Sequence, residues 1–434
     1  MRLVSALAFT CLASAAFAAD ADVDVLVTKS VPRAIELRHQ IHQNPELGNR
    51  EVETAKLVAK HLKSLGYEVR TGVAKTGVIG VLKGGKPGPV VAVRADMDAL
   101  PVVEQTDLPF KSTRTTMFGG KQVGVAHACG HDVHTAVQLG VASVLAAMRP
   151  ELAGTVLLIF QPAEEGPPPG EEGGAKLMLK EGLFDEFKPV AIFGLHTFPD
   201  WEVGTVAVIG GPTQAASDTW RAKIRGKQAH GAWPHLAVDP VVMAAEVVTS
   251  LQTIRSRNVD PTAAAVITVG VIRGGERFNI IPSEVELEGT VRTYDAAVQD
   301  MIERRMREIL DGVTRAGGGS YELEYERSNP ALVNDDALAA WARARLEPRM
   351  GADKVALNKA VMGAEDFAWF SQRVPGLYFR LGATKPGTVN SGLHTPTYRA
   401  DDGAVAVGMR AMATLVVDFL AAPPLLTAPA GGSP

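Results

Sequence analysis

Cysteine is nearly absent: Cys11 and Cys129 are the two in 434 residues. That scarcity excludes a disulfide framework as the source of stability. Charge of either sign is not in large excess, 44 Lys and Arg against 48 Asp and Glu giving a net −4. The balance carries no polyanion-binding signal, so nucleic acid is not an expected partner. Long hydrophobic runs are missing too. After the N-terminus no stretch reads as the ~20 predominantly apolar residues that a membrane span needs.

What is present starts with a leader-like segment, "MRLVSALAFTCLASAAFAAD". Arg2 precedes a short apolar run that ends in Ala16-Phe17-Ala18, the small-x-small pattern that signal peptidases cut. The alternative is a buried N-terminal helix. Residues 1–18 are expected to be a signal peptide, cut near Ala18, and the mature protein to be periplasmic or secreted. Losing Arg2 would take the net charge from −4 to −5 and leave Cys129 as the one cysteine. A lone cysteine closes no internal disulfide, so Cys129 is either a small buried residue or a functional thiolate.

The length allows two or three domains. Gly 43 and Pro 27 point to many tight turns rather than a helical bundle. Residues 28–66 carry two helix-period patterns, the second closing on Gly66 as a helix-ending glycine. Strand-like runs then alternate with helical ones: "YEVRT", "GVIGVLKG", "PVVAVRADMDAL", the helix "HTAVQLGVASVLAAMR", the strand "GTVLLIFQP", the helix "GGAKLMLKEGLF" and the strand "VAIFGLHT". Such alternation predicts an α/β domain whose mixed, largely parallel sheet is flanked by helices. From about Asp218 the order becomes β-α-β-β-α-β, the ferredoxin-like motif of an inserted α+β domain. The expected division is 19–212 with 330–422 as one domain, 213–329 as the insertion, and 423–434 as a disordered tail.

In open α/β sheets ligands bind beyond the carboxyl ends of the strands. "RADMDALP", "QPAEEG", "LHT" and "SGLHTP" follow strand-like runs, and "AHACGHD" opens a helix. Within residues 126–134, "AHACGHDVH" reads as a metal site, a thiol nucleophile or a polar turn capping a helix. Singly, each candidate has an ordinary structural explanation. Together, Cys129, His131, Glu165, His196 and His394 form a borderline donor set suited to Zn²⁺ or Mn²⁺. Asp98, in "RADMDALP", and Asp132 are candidates to orient the ligating imidazoles, Asp132 also as a helix cap. His127 and His134 are not counted as ligands.

Seven ordered motifs, "RADMDALP", "HACGHDVH", "QPAEEG", "GLHT", "QAHGAWPH", "FNIIPSEVELEGTVR" and "GAEDF", run from Arg94 to Phe367, within a similarity that extends over roughly residues 30–420. This pattern resembles the amidohydrolase branch of the dinuclear metallo-aminoacylase and carboxypeptidase family, which includes hippurate hydrolases, N-acyl-amino-acid amidohydrolases and hydrolases of indoleacetyl-amino acids. The resemblance implies two divalent metal ions per subunit, Zn or Mn before Co or Ni, held by the same five residues. It makes Glu164 the general base and His230 an oxyanion-stabilising residue reaching a neighbouring subunit. Asn279 would polarise the scissile carbonyl and Arg292 would bind a substrate carboxylate. It further implies a homodimer through the inserted domain and a small-molecule N-acyl amino acid substrate. "SGLHTPTYRADD", Gly231 and Trp233 of "QAHGAWPH" and the Pro-rich "GPPPGEEGGA" depart from the usual pattern, and Trp233 and that loop bear on the acyl pocket. Rival readings are a carboxypeptidase or dipeptidase on the same site, a cysteine hydrolase built on Cys129, and a non-catalytic binding relative.

Overall fold

A computed structural model describes residues 4–426, with side chains described from residue 23 onward. Residues 1–3 of the expected signal peptide and 427–434 of the expected tail lie outside the described residues, as do the side chains around Ala18. The chain divides into two compact units. The first takes the stretch ending at Gly211, Asn334–Lys359 and the stretch from Trp369. The second takes Pro212–Val333 and Ala360–Ala368, a return that hydropathy does not mark.

The first unit is built on an eight-stranded sheet. From one edge its strands are Glu68–Val73, Gly77–Lys83, Ala153–Gln161, Lys86–Asp96, Ala191–Glu202, Gly376–Thr384, Val206–Val208 and Val355–Leu357. The central run from Ala153–Gln161 to Gly376–Thr384 is parallel. This is the mixed, largely parallel sheet that the alternating pattern predicts. Every residue of Gly376–Thr384 is buried, as expected of a parallel strand covered on both faces.

Helices form where the sequence supplies ends for them. Val52–Ser64 stops at Leu65, and Gly66 follows in the left-handed region at φ 81°, where a side chain would be strained. His131–Ala147 is buried on nearly all sides, so its apolar and small residues need no amphipathic stripe. Gly403–Ala421 is long and apolar enough to cross a membrane by length and composition, which corrects the expectation that no such segment follows the leader. Its side chains instead fill the first unit's core, with Met409, Leu415 and Phe419 buried.

Two further expectations are corrected. "GGAKLMLKEGLF" is two short helices, Gly174–Lys180 and Leu183–Phe187, parted by Gly182 at φ 84°. The strand expected to end at His196-Thr197 runs on to Glu202, because Gly376–Thr384 continues to pair with it, Thr384 facing Glu202.

The second unit is the β-α-β-β-α-β fold. Its antiparallel sheet is ordered Ala265–Gly274, Glu284–Thr293, Ala216–Arg225, Ser320–Asn329. Pro240–Thr253 and Ala296–Ala316 are its main helices, capped by Asp239 and Asp295 accepting backbone N–H bonds. Trp220, Val247, Leu287, Ile302 and Leu310 belong to a core of its own.

Candidate metal centre

The sheet delivers its polar residues where adjacent parallel strands end. Asp96 ends one strand, and Asp98 follows it. Gln161 ends the neighbour, opposite Asp96, and the turn carrying Glu164 and Glu165 follows. His196 lies on the next strand, past its last pairing with Lys86–Asp96 at Gly194. Cys129 and His131 flank Gly130, which begins the helix at φ 89°. A Cβ on Gly130 would sit 2.2 Å from Thr197 Oγ1 and 2.9 Å from Tyr398 Oη. Only glycine fits both that backbone and that space.

Five predicted ligands, all in the first unit, converge. Cys129 Sγ lies 3.3 Å from His196 Nε2 and 3.3 Å from His394 Nε2. His394 Nε2 lies 2.9 Å from Glu165 Oε1. Cys129, His131 and His196 bring donor atoms within 4.8 Å of one another; so do Cys129, Glu165 and His394, and likewise His131, Glu164 and Glu165. Tetrahedral Zn–S and Zn–N bonds would put sulfur and nitrogen about 3.5 Å apart, close to the spacing found. His131 uses Nδ1 on Asp98 Oδ1 at 3.1 Å, leaving buried Nε2 without a hydrogen-bond partner. His196 donates Nδ1–H to Thr197 O at 2.6 Å, so its Nε2 carries a lone pair towards Cys129. Burial, with His134 and His131 nearby, holds the His196 pKa well below its ordinary value, keeping it neutral as a ligand must be. The residues fit a divalent metal.

Cys129 does not fit the thiol-nucleophile reading. Burial, then the charges of Glu165 and Glu164, pushes its thiol well above the ordinary value. Reactive cysteines need the opposite environment. A bound cation is what would make a thiolate here.

Around the donors, Asp98 does two jobs, since its Oδ2 also accepts the Glu165 backbone N–H at 2.9 Å. Asp132 departs from expectation. It neither caps the helix nor touches a donor imidazole; its carboxylate takes Arg38 Nε at 2.9 Å and His42 Nδ1 at 3.0 Å. Its charge still sits in the first helical turn, where the helix dipole favours it. Asp96 is the other acid of "RADMDALP", and it holds His134 Nδ1 at 2.6 Å. His134 Nε2 accepts the Thr197 N–H at 2.8 Å, which leaves this histidine no lone pair for a metal. His127 is buried and held neutral, its pKa lowered to about 3 by burial.

His230, Asn279 and Arg292 belong to the second unit. His230 and Ile280 pair across a two-stranded ladder, and Gly231 N–H donates to Asn279 O at 2.8 Å, so His230 and Asn279 lie side by side on one exposed ladder. The Trp233 ring lies beside that of His230, tilted by 36° with centroids 5.0 Å apart. Arg292 lies on the strand Glu284–Thr293, with Nη1 on Val291 O at 3.0 Å.

The family model described as peptidase family M20/M25/M40 matches residues 92–418. The chain belongs to that family. It is 37% identical over 372 residues to the N-acetyl-L-cysteine deacetylase of Bacillus subtilis, covering 86% of this chain and 84% of that one. It is 37% identical over 389 residues to thermostable carboxypeptidase 2 of Saccharolobus solfataricus, 89% and 95% covered. The crystal structure of the Bacillus subtilis YXEP protein, a dinuclear metal binding peptidase of the M20 family, superposes with a TM-score of 0.77 at 34% identity, covering 91% of this chain and 99% of that one. The protein is thus an M20-family hydrolase, and metal-dependent amide hydrolysis is its chemistry.

In this M20 hydrolase a cavity of ≈ 1270 Å³ opens beside Glu165, its walls mixing Leu57, Leu100 and Phe118 with Glu46, Arg50 and Lys60. Asp98 gives a first test of the centre. Asp98→Ala frees the His131 ring and the Glu165 amide together. Metal affinity is expected to fall by about 10- to 100-fold, the usual cost of losing such a support, measured by competition against a chelating dye.

Proposed function

We propose that this protein is an exported metal-dependent amidohydrolase that cleaves N-acyl amino acids, aliphatic or aromatic, to a carboxylic acid and a free amino acid. The observation that carries the reading is the convergence of Cys129, His131, Glu165, His196 and His394, with Glu164 Oε2 3.9 Å from His131 Nε2. Two divalent ions per subunit, Zn²⁺ or Mn²⁺ before Co²⁺ or Ni²⁺, suit this mixture of thiolate, imidazole and carboxylate. When bound, they supply Lewis acidity that polarises the scissile carbonyl and acidifies the attacking water.

The rest is work for the chain's own residues. Glu164 takes the proton of the attacking water at a carboxylate oxygen, then gives it to the departing amine nitrogen. Asp98 and Thr197 O fix the ring tautomers of His131 and His196 throughout. His230, reaching a neighbouring subunit's site, donates to the oxygen on which charge develops, Asn279 polarises the scissile carbonyl, and Arg292 pairs with the substrate carboxylate. In this reading 19–212 with 330–422 is the catalytic domain, and 213–329 is a lid and the homodimer interface. Export rests on the leader motif ending at Ala18.

A metallo-carboxypeptidase is the second reading, favoured by the likeness to thermostable carboxypeptidase 2. The likeness to N-acetyl-L-cysteine deacetylase favours an acyl substrate instead. A panel of N-acetyl, N-benzoyl and indoleacetyl amino acids against dipeptides separates the two. At least one acyl substrate is expected to exceed every dipeptide in kcat/KM by about tenfold or more, the worth of one to two buried methylenes. A dipeptide at the head of the panel would select the carboxypeptidase.

A further inference from the structure

Glu164 and Glu165 sit in a turn that the chain would not adopt unaided. Ala163 enters it at φ 52°, left-handed for a residue with a Cβ, and Gly166 leaves it at φ 104°. Such a conformation is unfavourable for an alanine and persists only where the surroundings offset its cost. Gly166 N–H closes the turn on Ala163 O at 3.3 Å, a long bond. Ala163 is itself buried, so its amide must find an acceptor.

That acceptor is a side chain. Glu51, fully buried at the head of the helix Val52–Ser64, takes the Ala163 N–H on Oε1 at 2.8 Å and the Thr76 hydroxyl on Oε2 at 2.5 Å. Two residues on, Asp98 takes the Glu165 N–H. Two buried carboxylates therefore grip alternate amides of the turn that presents the base and one of the donors. Gly48 closes the space behind it, since a Cβ there would come within 2.8 Å of Gly166 O.

We propose that Glu51 is a positioning residue for catalysis: through Ala163 it fixes the turn that aims the Glu164 carboxylate at the reacting water. Its side-chain hydrogen bonds are with Ala163 and Thr76 and not with the five metal donors. Burial, then the charge of Asp98, raises the Glu51 carboxyl to about 8, against the bonds from Thr76 and Ala163, which lower it. Glutamine keeps the acceptor for Ala163 in its carbonyl, and its amide donates to the Thr76 oxygen in place of the bond that Thr76 gives Glu51. The inference rests on Glu164 being the base.

The test uses the metal-loaded full chain with the best substrate of the acyl panel. Glu51→Ala is expected to lower kcat about 10- to 100-fold with KM within about twofold, and Glu51→Gln to restore kcat to within about threefold of wild type. In the metal-free chain, amide exchange across residues 161–167 should be at least about tenfold faster in Glu51→Ala and near wild type in Glu51→Gln. A kcat for Glu51→Ala within twofold of wild type overturns the proposal, as does a Glu51→Gln chain no better than the alanine variant. Should Glu51→Ala fail to fold, Thr76→Val removes only the support of Glu51. It is expected to lower kcat about threefold or more, and an unchanged kcat overturns the proposal. Glu164→Gln assayed alongside separates the two failures: if that variant stays active, the assignment of the base falls, whereas an inert Glu164→Gln with an indifferent Glu51 sinks only the positioning role.

Discussion

Glu164→Gln is expected to keep its metal and its fold while losing about 10²-fold or more in kcat, the scale of positioned acid–base catalysis. That loss corresponds to about 2.7 kcal/mol or more of transition-state stabilisation. The side chain is nearly buried, and its Oε2 stands 3.9 Å from His131 Nε2, within the donor cluster, so kinetics and metal content have to be read together. Glutamine has the same shape and still accepts a hydrogen bond, but it cannot take the proton of water. KM should therefore change little, and elemental analysis should match the wild type. Near-full activity would remove the assigned role. A parallel loss of metal would make Glu164 a donor rather than a base, which the metal analysis detects separately from the kinetics.

The parts of this centre that sequence exposes are those with a local signature. Cys129 and His131 stand two apart across a glycine, and Glu165 follows a strand whose burial on both faces makes a terminal acid conspicuous. The order of strands and helices is likewise legible, because burial imposes periodicity. What lies hidden are pairings made by tertiary contact. Asp132 sits beside the donor motif in sequence, yet its charge belongs to Arg38 and His42, 94 and 90 residues away. Spacing suggests a partner for such a carboxylate and cannot say which. Glu51 is further from notice: it meets Ala163 across 112 residues, and a single glutamate before a helix looks like an ordinary first-turn acid. Gly403–Ala421 shows the converse error. Uniform apolarity marks burial, and the chain alone does not say whether protein or lipid provides it.

Removing the metal is expected to abolish turnover, by about 10³-fold or more if the cations supply at least about 4 kcal/mol at the scissile carbonyl and water. Dialysis against a chelator followed by Zn²⁺ or Mn²⁺ should restore it, and Cys129→Ala should lose both metal and activity. The cysteine carries the discrimination. If Cys129 were the nucleophile, the chain would resist chelators and be inactivated by thiol alkylation. The structure favours the opposite outcome, since Cys129 is 6% exposed and its thiol is pushed upward by burial and by Glu165 and Glu164. Alkylation should be slow even without metal, and slower still once a cation occupies the space between Sγ and the two imidazoles 3.3 Å away. The Cys129→Ala variant also tests the donor set itself. A chain that keeps two ions per subunit without its sulfur would show that imidazole and carboxylate suffice, and the thiolate would lose its place in the centre.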